Sequence, residues 1–365
     1  METITKPSKC QIPEYLEAHY DLSDLLIFDI ETTGFSAKAS QLYLIGCLYF
    51  QSGTPTIRQW FAENPSEEPL LLSEFFQFLK NFKHLIHYNG NGFDIPYLMQ
   101  KCSHYHLSYS FENVESLDLY QILSPYKALL KLKNLKQKTV EAYLEIARKD
   151  TYNGGELIGV YLDYLKDPVN EKRDLLLLHN HDDINGLFLL SPMLSFQNFS
   201  PKHFRFHSCE IKDYVSFNGL EGKEAIFTFL LTSPLPKRIS FAKQDFYLSV
   251  SDTECRLRIR AYTGELKYFY SDYKNYYYLP KEDTAIHKSV AFYVDRDFRT
   301  KAKAANCYSK KTGVFLPQFQ EIVSPYFKID YFDKILYFEA CDENLNDHSL
   351  MLAYISHILQ FMLKK

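Results

Sequence analysis

The 365-residue chain is long enough for two domains, each with its own core. Its hydrophobic share of 46% and charged share of 24% fit a globular protein in water, and its aromatic share of 16%, with 29 Tyr and 29 Phe, is high. Seven Cys without C-x-x-C spacing argue against a disulfide framework and against a zinc site. The N-terminal METITKPSKCQIPEY has no hydrophobic h-region, and no apolar run approaches membrane-spanning length. The expectation is a cytoplasmic protein with no membrane partner. The net charge of −4 neither requires nor excludes a polyanion, but its distribution is uneven. Residues 201–320 carry 20 Lys and Arg against 13 Asp and Glu, while the remainder carries 21 against 32. An acidic part followed by a basic part suits an enzyme of nucleic acid with a separate contact surface.

In chain order, the first strong element is LLIFDIETTGF, Leu25 to Phe35. Leu25 to Phe28 reads as a buried strand. Because strand side chains alternate, Asp29 and Glu31 project to one side while Phe28 and Ile30 face the other. Two like charges at a buried strand end repel each other unless a cation lies between them, and hard divalent ions suit an all-oxygen site. The plainer alternative is a solvated strand end. Strands are expected over Gln41 to Phe50 and Thr56 to Phe61, with a helix over Pro69 to Phe82 whose apolar residues recur at helical period. His84 to Tyr88 is a short strand, followed by Asn89-Gly90-Asn91-Gly92 and a helix with Pro96 in its first turn. Asp94 opens that helix, where an acid also serves as a cap.

Glu115 to Tyr120 reads as another strand end. Lys127 to Arg148 is expected to be helical, with Lys131, Lys133, Lys136 and Lys138 forming either a solvated face or a phosphate track. A helix follows over Thr151 to Leu165. On a further helix, Arg173 to Met193, His179 and Asp183 are four residues apart and share a face. They could be an ordinary buried pair. His181 and Asp182 are the competing base and ligand.

D-x-E-T-T-G-F, then H-Y-N-G-N-G-F-D, then H-N-H-D-D resemble, in order, the three motifs of the DEDD exonucleases, 3′–5′ nucleases with an RNase H-like fold. In this resemblance Asn89 fixes the turn, Phe93 packs, and Asp29, Glu31, Asp94 and Asp183 are the metal ligands. His179 is the proton acceptor. The chain departs from the family in one respect. One branch has Tyr with three residues before the last Asp and the other has His with four. Here His is followed by three. Asp183 is preferred over Asp182 because Ile184 follows it, as an aliphatic residue does in the Tyr branch.

The resemblance covers about 1–195 and implies a mixed sheet flanked by helices, two divalent cations (Mg²⁺ or Mn²⁺), and a DNA or RNA 3′ end as substrate. Asp29 would bridge both ions, with Glu31 and Asp183 on the nucleophile side and Asp94 supporting the other ion through water. Thr32 and Asn89, beside the acids, are candidate nucleic-acid contacts. Two other functions stay open: a nucleic-acid-binding module with a decayed site, and a phosphodiesterase of small nucleotides.

From Pro201 the texture changes to alternating strands, and the expected division is 1–198, an RNase H-like α/β domain, and 199–365, a β-rich α+β domain. Strands are expected at Ala225 to Leu231, Phe246 to Val250, Arg256 to Tyr262 and Glu265 to Tyr270. Arg256, Arg258 and Arg260 share one strand face. They either track phosphates or pair with acids such as Asp252 and Glu254. The region from Tyr276 to Pro317 mixes aromatic and basic residues, which can stack bases and hold phosphates, or simply pack. It resembles the C-terminal region of a bacterial family of exonuclease-like proteins, the YprB-like proteins. An acidic loop, Asp342 to Asp347, precedes a final apolar helix.

Overall fold

The computed structural model describes residues 1–148, 152, 154–216 and 218–364. The apolar run at Leu25 becomes β2 (Leu25–Thr32), an inner strand of a six-stranded mixed sheet. Its companions are β1 (Glu2–Pro7), β3 (Leu42–Gln51), β4 (Thr54–Phe61), β5 (His84–His87) and β6 (Glu115–Asp118), in the order β1-β4-β3-β2-β5-β6. Pairing is antiparallel from β1 to β2 and parallel from β2 to β6. Parallel neighbours need crossovers, which α1 (Glu68–Leu79) and α2 (Asp94–His104) supply. The edge strand β1 was not expected, because its burial pattern is mostly exposed and offers no apolar alternation.

The two sheet faces are covered differently. On one side Phe28 stacks on Phe75 of α1 with ring centroids 5.5 Å apart, and Trp60 is fully buried beside them. Each such side chain contributes roughly 1.5–3 kcal/mol by burial. Buried Lys101 pairs with buried Glu68 at 2.8 Å and ties α2 to α1. On the other side Tyr43 and Phe61 meet Tyr161 of α4 (Gly154–Lys166) and Leu176 of α5 (Asn170–Leu190). The expected helix over Lys127 to Arg148 shrinks to α3 (Gln137–Tyr143). Lys131 adopts a left-handed φ of 55°, and Asn134 accepts from the Lys136 amide and the Thr139 hydroxyl, so the helix starts late. The expected helix from Thr151 begins at Gly154, and residues 151 and 153 lie outside those described.

The first compact unit comprises 1–197 and 235–237; the second comprises 198–234 and 238–365. The second is built on an eight-stranded sheet of β7 (Arg205–Val215), β8 (Glu221–Leu230), β9 (Ile239–Lys243), β10 (Phe246–Ser251), β11 (Glu254–Phe269), β15 (Tyr308–Gln318), β16 (Tyr326–Phe327) and β17 (Leu336–Glu339). The strands expected at Arg256 and Glu265 are one continuous strand, β11, which pairs with β8 and β10 along its first half and β15 along its second. A separate small sheet joins β12 (Tyr276–Leu279), β13 (Thr284–His287) and β14 (Thr300–Lys301). The terminal helix α6 (His348–Leu363) buries Met351, Tyr354, Ile355 and Ile358. Among the described residues no helix is long and apolar enough to cross a membrane.

Candidate active site

Asp29 and Glu31 leave β2 toward α5, opposite the face that buries Phe28 and Ile30. Asp29 pairs in register with Gly46 of β3, and the bare glycine leaves room for Asn180 of α5. A Cβ at position 46 would lie 1.9 Å from the Asn180 Oδ1. Asn180 donates Nδ2 to the Asp29 carboxylate at 3.2 Å, while its Oδ1 accepts from Gln59 Nε2 at 2.9 Å. Gln59 also donates to the Leu177 carbonyl at 2.9 Å, so the amide orientations are fixed. Burial, then the charges of Asp183, Glu31 and Asp94, push the Asp29 carboxyl well above the usual carboxylate range against the opposing Asn180 bond.

Asp94 reaches the same acid group from the start of α2. Burial lifts its carboxyl to about 7, with Asp118 adding and backbone amides of Asp94 and Ile30 opposing. The turn before it is held from within. Asp118 accepts the amides of Asn89 at 2.9 Å and Asn91 at 3.1 Å, and Asn89 takes the left-handed φ of 60° that asparagine tolerates. His87 Nδ1 accepts from the Gly90 amide at 3.1 Å, which places the ring proton on Nε2, donated to Ser116 Oγ at 2.7 Å. Ser116 in turn donates to Asn91 Oδ1 at 2.8 Å. Ser116, His87 and Asp118 thus have the residue types of a hydrolytic triad, but this tautomer leaves no basic nitrogen toward the serine. Burial drives the His87 pKa down to about 4, although Asp118 opposes. The network shapes the turn.

On α5, His179 Nε2 is 3.1 Å from Asp183 Oδ2 and 3.7 Å from Glu31 Oε1. Donor atoms of Glu31, His179 and Asp183 all lie within 4.8 Å of one another, a set that could hold a metal ion. Asp183 also pairs with Arg148, whose other nitrogen bonds both oxygens of buried Glu141 at 2.9 and 2.8 Å. Burial opposes the Arg148 charge, but Asp183 and Glu141 outweigh it and hold the guanidinium pKa above the usual arginine value. Gly186 makes room for this: a Cβ there would lie 2.1 Å from Glu141 Oε1. Gln137 donates Nε2 to both Glu141 Oε1 at 2.9 Å and the Asp183 carbonyl at 2.8 Å. His181 turns elsewhere, toward Asn185 at 3.2 Å and Asp182 at 3.4 Å.

Residues 26–195 match the family model of the RNase H superfamily. This segment has an RNase H-like fold. Among solved structures, the chain is similar to the family B DNA polymerase of the archaeon Pyrobaculum calidifontis, with 18% identity, 47% of this chain and 24% of that one covered, and a TM-score of 0.40. Product-bound exonuclease I gives 10% identity, 58% and 59% coverage and a TM-score of 0.34. The zinc-bound E. coli exonuclease I–single-stranded DNA complex gives 12%, 57% and 55%, and 0.28. The chain thus spans a quarter of the polymerase chain and just over half of exonuclease I, and these scores are too low to carry function across. A search of curated proteins returned no match.

Within the RNase H-like domain, the third motif contains Asn180 without giving it a role, and the motifs did not point to Gln59, Gly46, Arg148 or Glu141. Each is separated by a long stretch or a face change from the acid it serves, and no local period reports it. Of the other candidate contacts, Thr32 is half-buried and donates Oγ1 to the Gly34 carbonyl at 2.9 Å, and Asn89 is exposed on its turn. Arg256, Arg258 and Arg260 lie on β11 of the second unit. They face Glu254 at 2.7 Å, Glu224 at 2.6 Å and Asp245 at 3.4 Å.

Proposed function

We propose that the RNase H-like domain is a divalent-metal-dependent nuclease, specifically a 3′–5′ exonuclease of single-stranded DNA or RNA. The observation that carries this reading is that Asp29, Glu31, Asp94 and Asp183, drawn from β2, α2 and α5, act on one another's charge in one partly buried group. Such a group of carboxylates fits hard divalent cations by its donor chemistry, because like charges forced together gain most from a cation. Asp29, Glu31, Asp94 and Asp183 would hold the ions. When bound, the ions would lower the pKa of the attacking water and stabilise charge on the phosphate and the leaving 3′ oxygen.

The chain's own residues do the rest. His179 would accept the proton of the attacking water on Nε2, which here points at the Asp183 carboxylate 3.1 Å away and must turn from it to act, as the water oxygen bonds to phosphorus and the 3′ oxygen departs. Asn180 fixes the orientation of Asp29, and Arg148 fixes that of Asp183. A second reading, that His179 is itself a ligand, is favoured by one observation: its Nε2 is among the three converging donor atoms. The direction and substrate class rest on the motif resemblance.

Cleavage of 5′-labelled DNA and RNA oligomers with Mn²⁺, Mg²⁺ or EDTA tests the reading. The expected result is a metal-dependent ladder shortening from the 3′ end, absent in Asp29→Ala. Cleavage by a well-folded Asp29→Ala protein would overturn the site. Oligomer binding without any cleavage would favour the binding module, and hydrolysis confined to dinucleotides the small-substrate enzyme.

A further inference from the structure

We infer that the small β12–β13–β14 sheet of the second unit carries a binding site for single-stranded nucleic acid, resting on the reading that the chain acts on such a polymer. An open cavity of about 460 Å³ is lined there by Tyr273, Tyr276, Tyr277, Lys274, Lys288 and Lys301. That volume is within the range of roughly 300–1,000 Å³ typical of ligand clefts.

The strand register builds the arrangement. Tyr277 lies directly opposite Lys301 across the β12–β14 pair, so both side chains share a face. Arg299, two residues before Lys301, places its guanidinium 4.9 Å from the centroid of the Tyr277 ring. Tyr276 stacks on Tyr270 with centroids 4.5 Å apart, which holds its ring in place. Lys288 follows directly on His287, the residue paired with Tyr276, and donates to Asn275 Oδ1 at 2.8 Å. Lys274, Lys288 and Lys301 are all exposed.

Charge distinguishes this pocket from the β11 arginines. Each of those arginines already faces a carboxylate. Among the described residues, no carboxylate lies within ion-pairing distance of the three lysines. Of the nearby acids, Asp283 is engaged by Lys310 at 2.5 Å and by the hydroxyls of Tyr278 and Tyr308, while Asp272 precedes Tyr273 and its charge acts on Tyr276. A cation without an acid partner gains more from a phosphate, and each phosphate neutralised releases counterions. The tyrosine faces accept bases of any sequence by stacking. Ammonium groups interleaved with aromatic rings therefore match a chain that alternates phosphate and base.

The test is binding of a fluorescently labelled oligothymidylate to the full chain in EDTA, at several salt concentrations. Lys274→Ala/Lys288→Ala/Lys301→Ala should weaken binding at least about tenfold and flatten the log–log salt slope by about 2, near 0.7 per lost single-strand contact. Tyr277→Ala should weaken binding by about tenfold with the salt slope unchanged. Circular dichroism establishes that each variant is folded. Unchanged affinity in both variants, or wild-type protein that binds no oligomer, overturns the site. Loss of binding to phosphatidylserine vesicles in place of the oligomer would assign the pocket to membrane and also overturn it. If lysine-dependent binding is seen but wild-type protein cleaves nothing with Mn²⁺, the nuclease reading fails while the pocket stands. Intact cleavage with lysine-independent binding has the reverse meaning.

Discussion

Gly46 stands opposite Asp29 across the β2–β3 pair, and the space that its missing side chain leaves is filled by the Asn180 carboxamide that donates to Asp29. A glycine in the middle of a buried strand ordinarily weakens it. Here it lets a helix approach closely enough to hold Asp29, an acid of the candidate site. Gly46→Ala should therefore destabilise the fold by about 2 kcal/mol through overpacking and impair cleavage. Gly46→Ala/Asn180→Ala should regain much of the stability, because the clash is gone, without regaining full activity. Urea denaturation of the two variants, beside oligomer cleavage, makes the comparison, and strictly additive losses would remove Asn180 from the explanation.

His87 makes stability depend on acid. Burial holds its pKa in the fold at about 4, below the ordinary histidine value of 6.5, so the unfolded chain takes up a proton that the folded chain refuses. The stabilisation is present above pH 6.5 and is lost as pH falls from there through about 4. A shift of that size corresponds to about 3 kcal/mol. Unfolding free energies measured across this window should fall steeply for the wild type and less so for His87→Gln. Parallel curves would mean that other groups control the acid limb.

Arg148 joins Glu141, which is buried, to Asp183 at the acid cluster. Arg148→Ala leaves Glu141 without its guanidinium partner and should destabilise the protein by about 3 kcal/mol in EDTA. Adding Glu141→Gln should recover a large part. Because a cation held by Asp183 would replace some of the lost charge, the deficit should be smaller in Mn²⁺ than in EDTA. Thermal melts of the three proteins under both conditions test this, and an equal deficit in each would separate Arg148 from the metal site.

His179 can be a proton acceptor or a ligand, and the two roles leave different marks. As acceptor, its replacement by Ala should lower turnover by about 10²–10⁴ while calorimetric Mn²⁺ affinity stays near wild type. As ligand, His179→Ala should lose Mn²⁺ affinity as Asp183→Ala does. The acceptor role is the expected outcome.

Much of the domain is written locally. The alternation of Phe28, Asp29, Ile30 and Glu31 places two acids on one face of β2, and the four-residue step from His179 to Asp183 places both on one face of α5. The turn before Asp94 is likewise set by residues close in sequence, with Asp118 closing it from β6. Helical extent was less legible around Lys127, where buried Leu129 and Leu130 mimic a helical period but the backbone turns at Lys131. The two strands expected on either side of Thr263 merged because both halves of β11 find partners.

Strand alternation and helical periodicity follow from backbone geometry over a few residues, so the sequence by itself determined which side chains share a face and which acids could meet. Which neutral and basic groups stand behind those acids was decided only by the tertiary structure. Asn180 reaches Asp29 across 151 positions of chain, and Arg148 reaches Asp183 across 35. Those contacts depend on sheet register and on the two glycine gaps at 46 and 186, which set how closely α5 and Glu141 can approach. A missing Cβ has no periodicity; its role appears only when the neighbour that fills its space is in place.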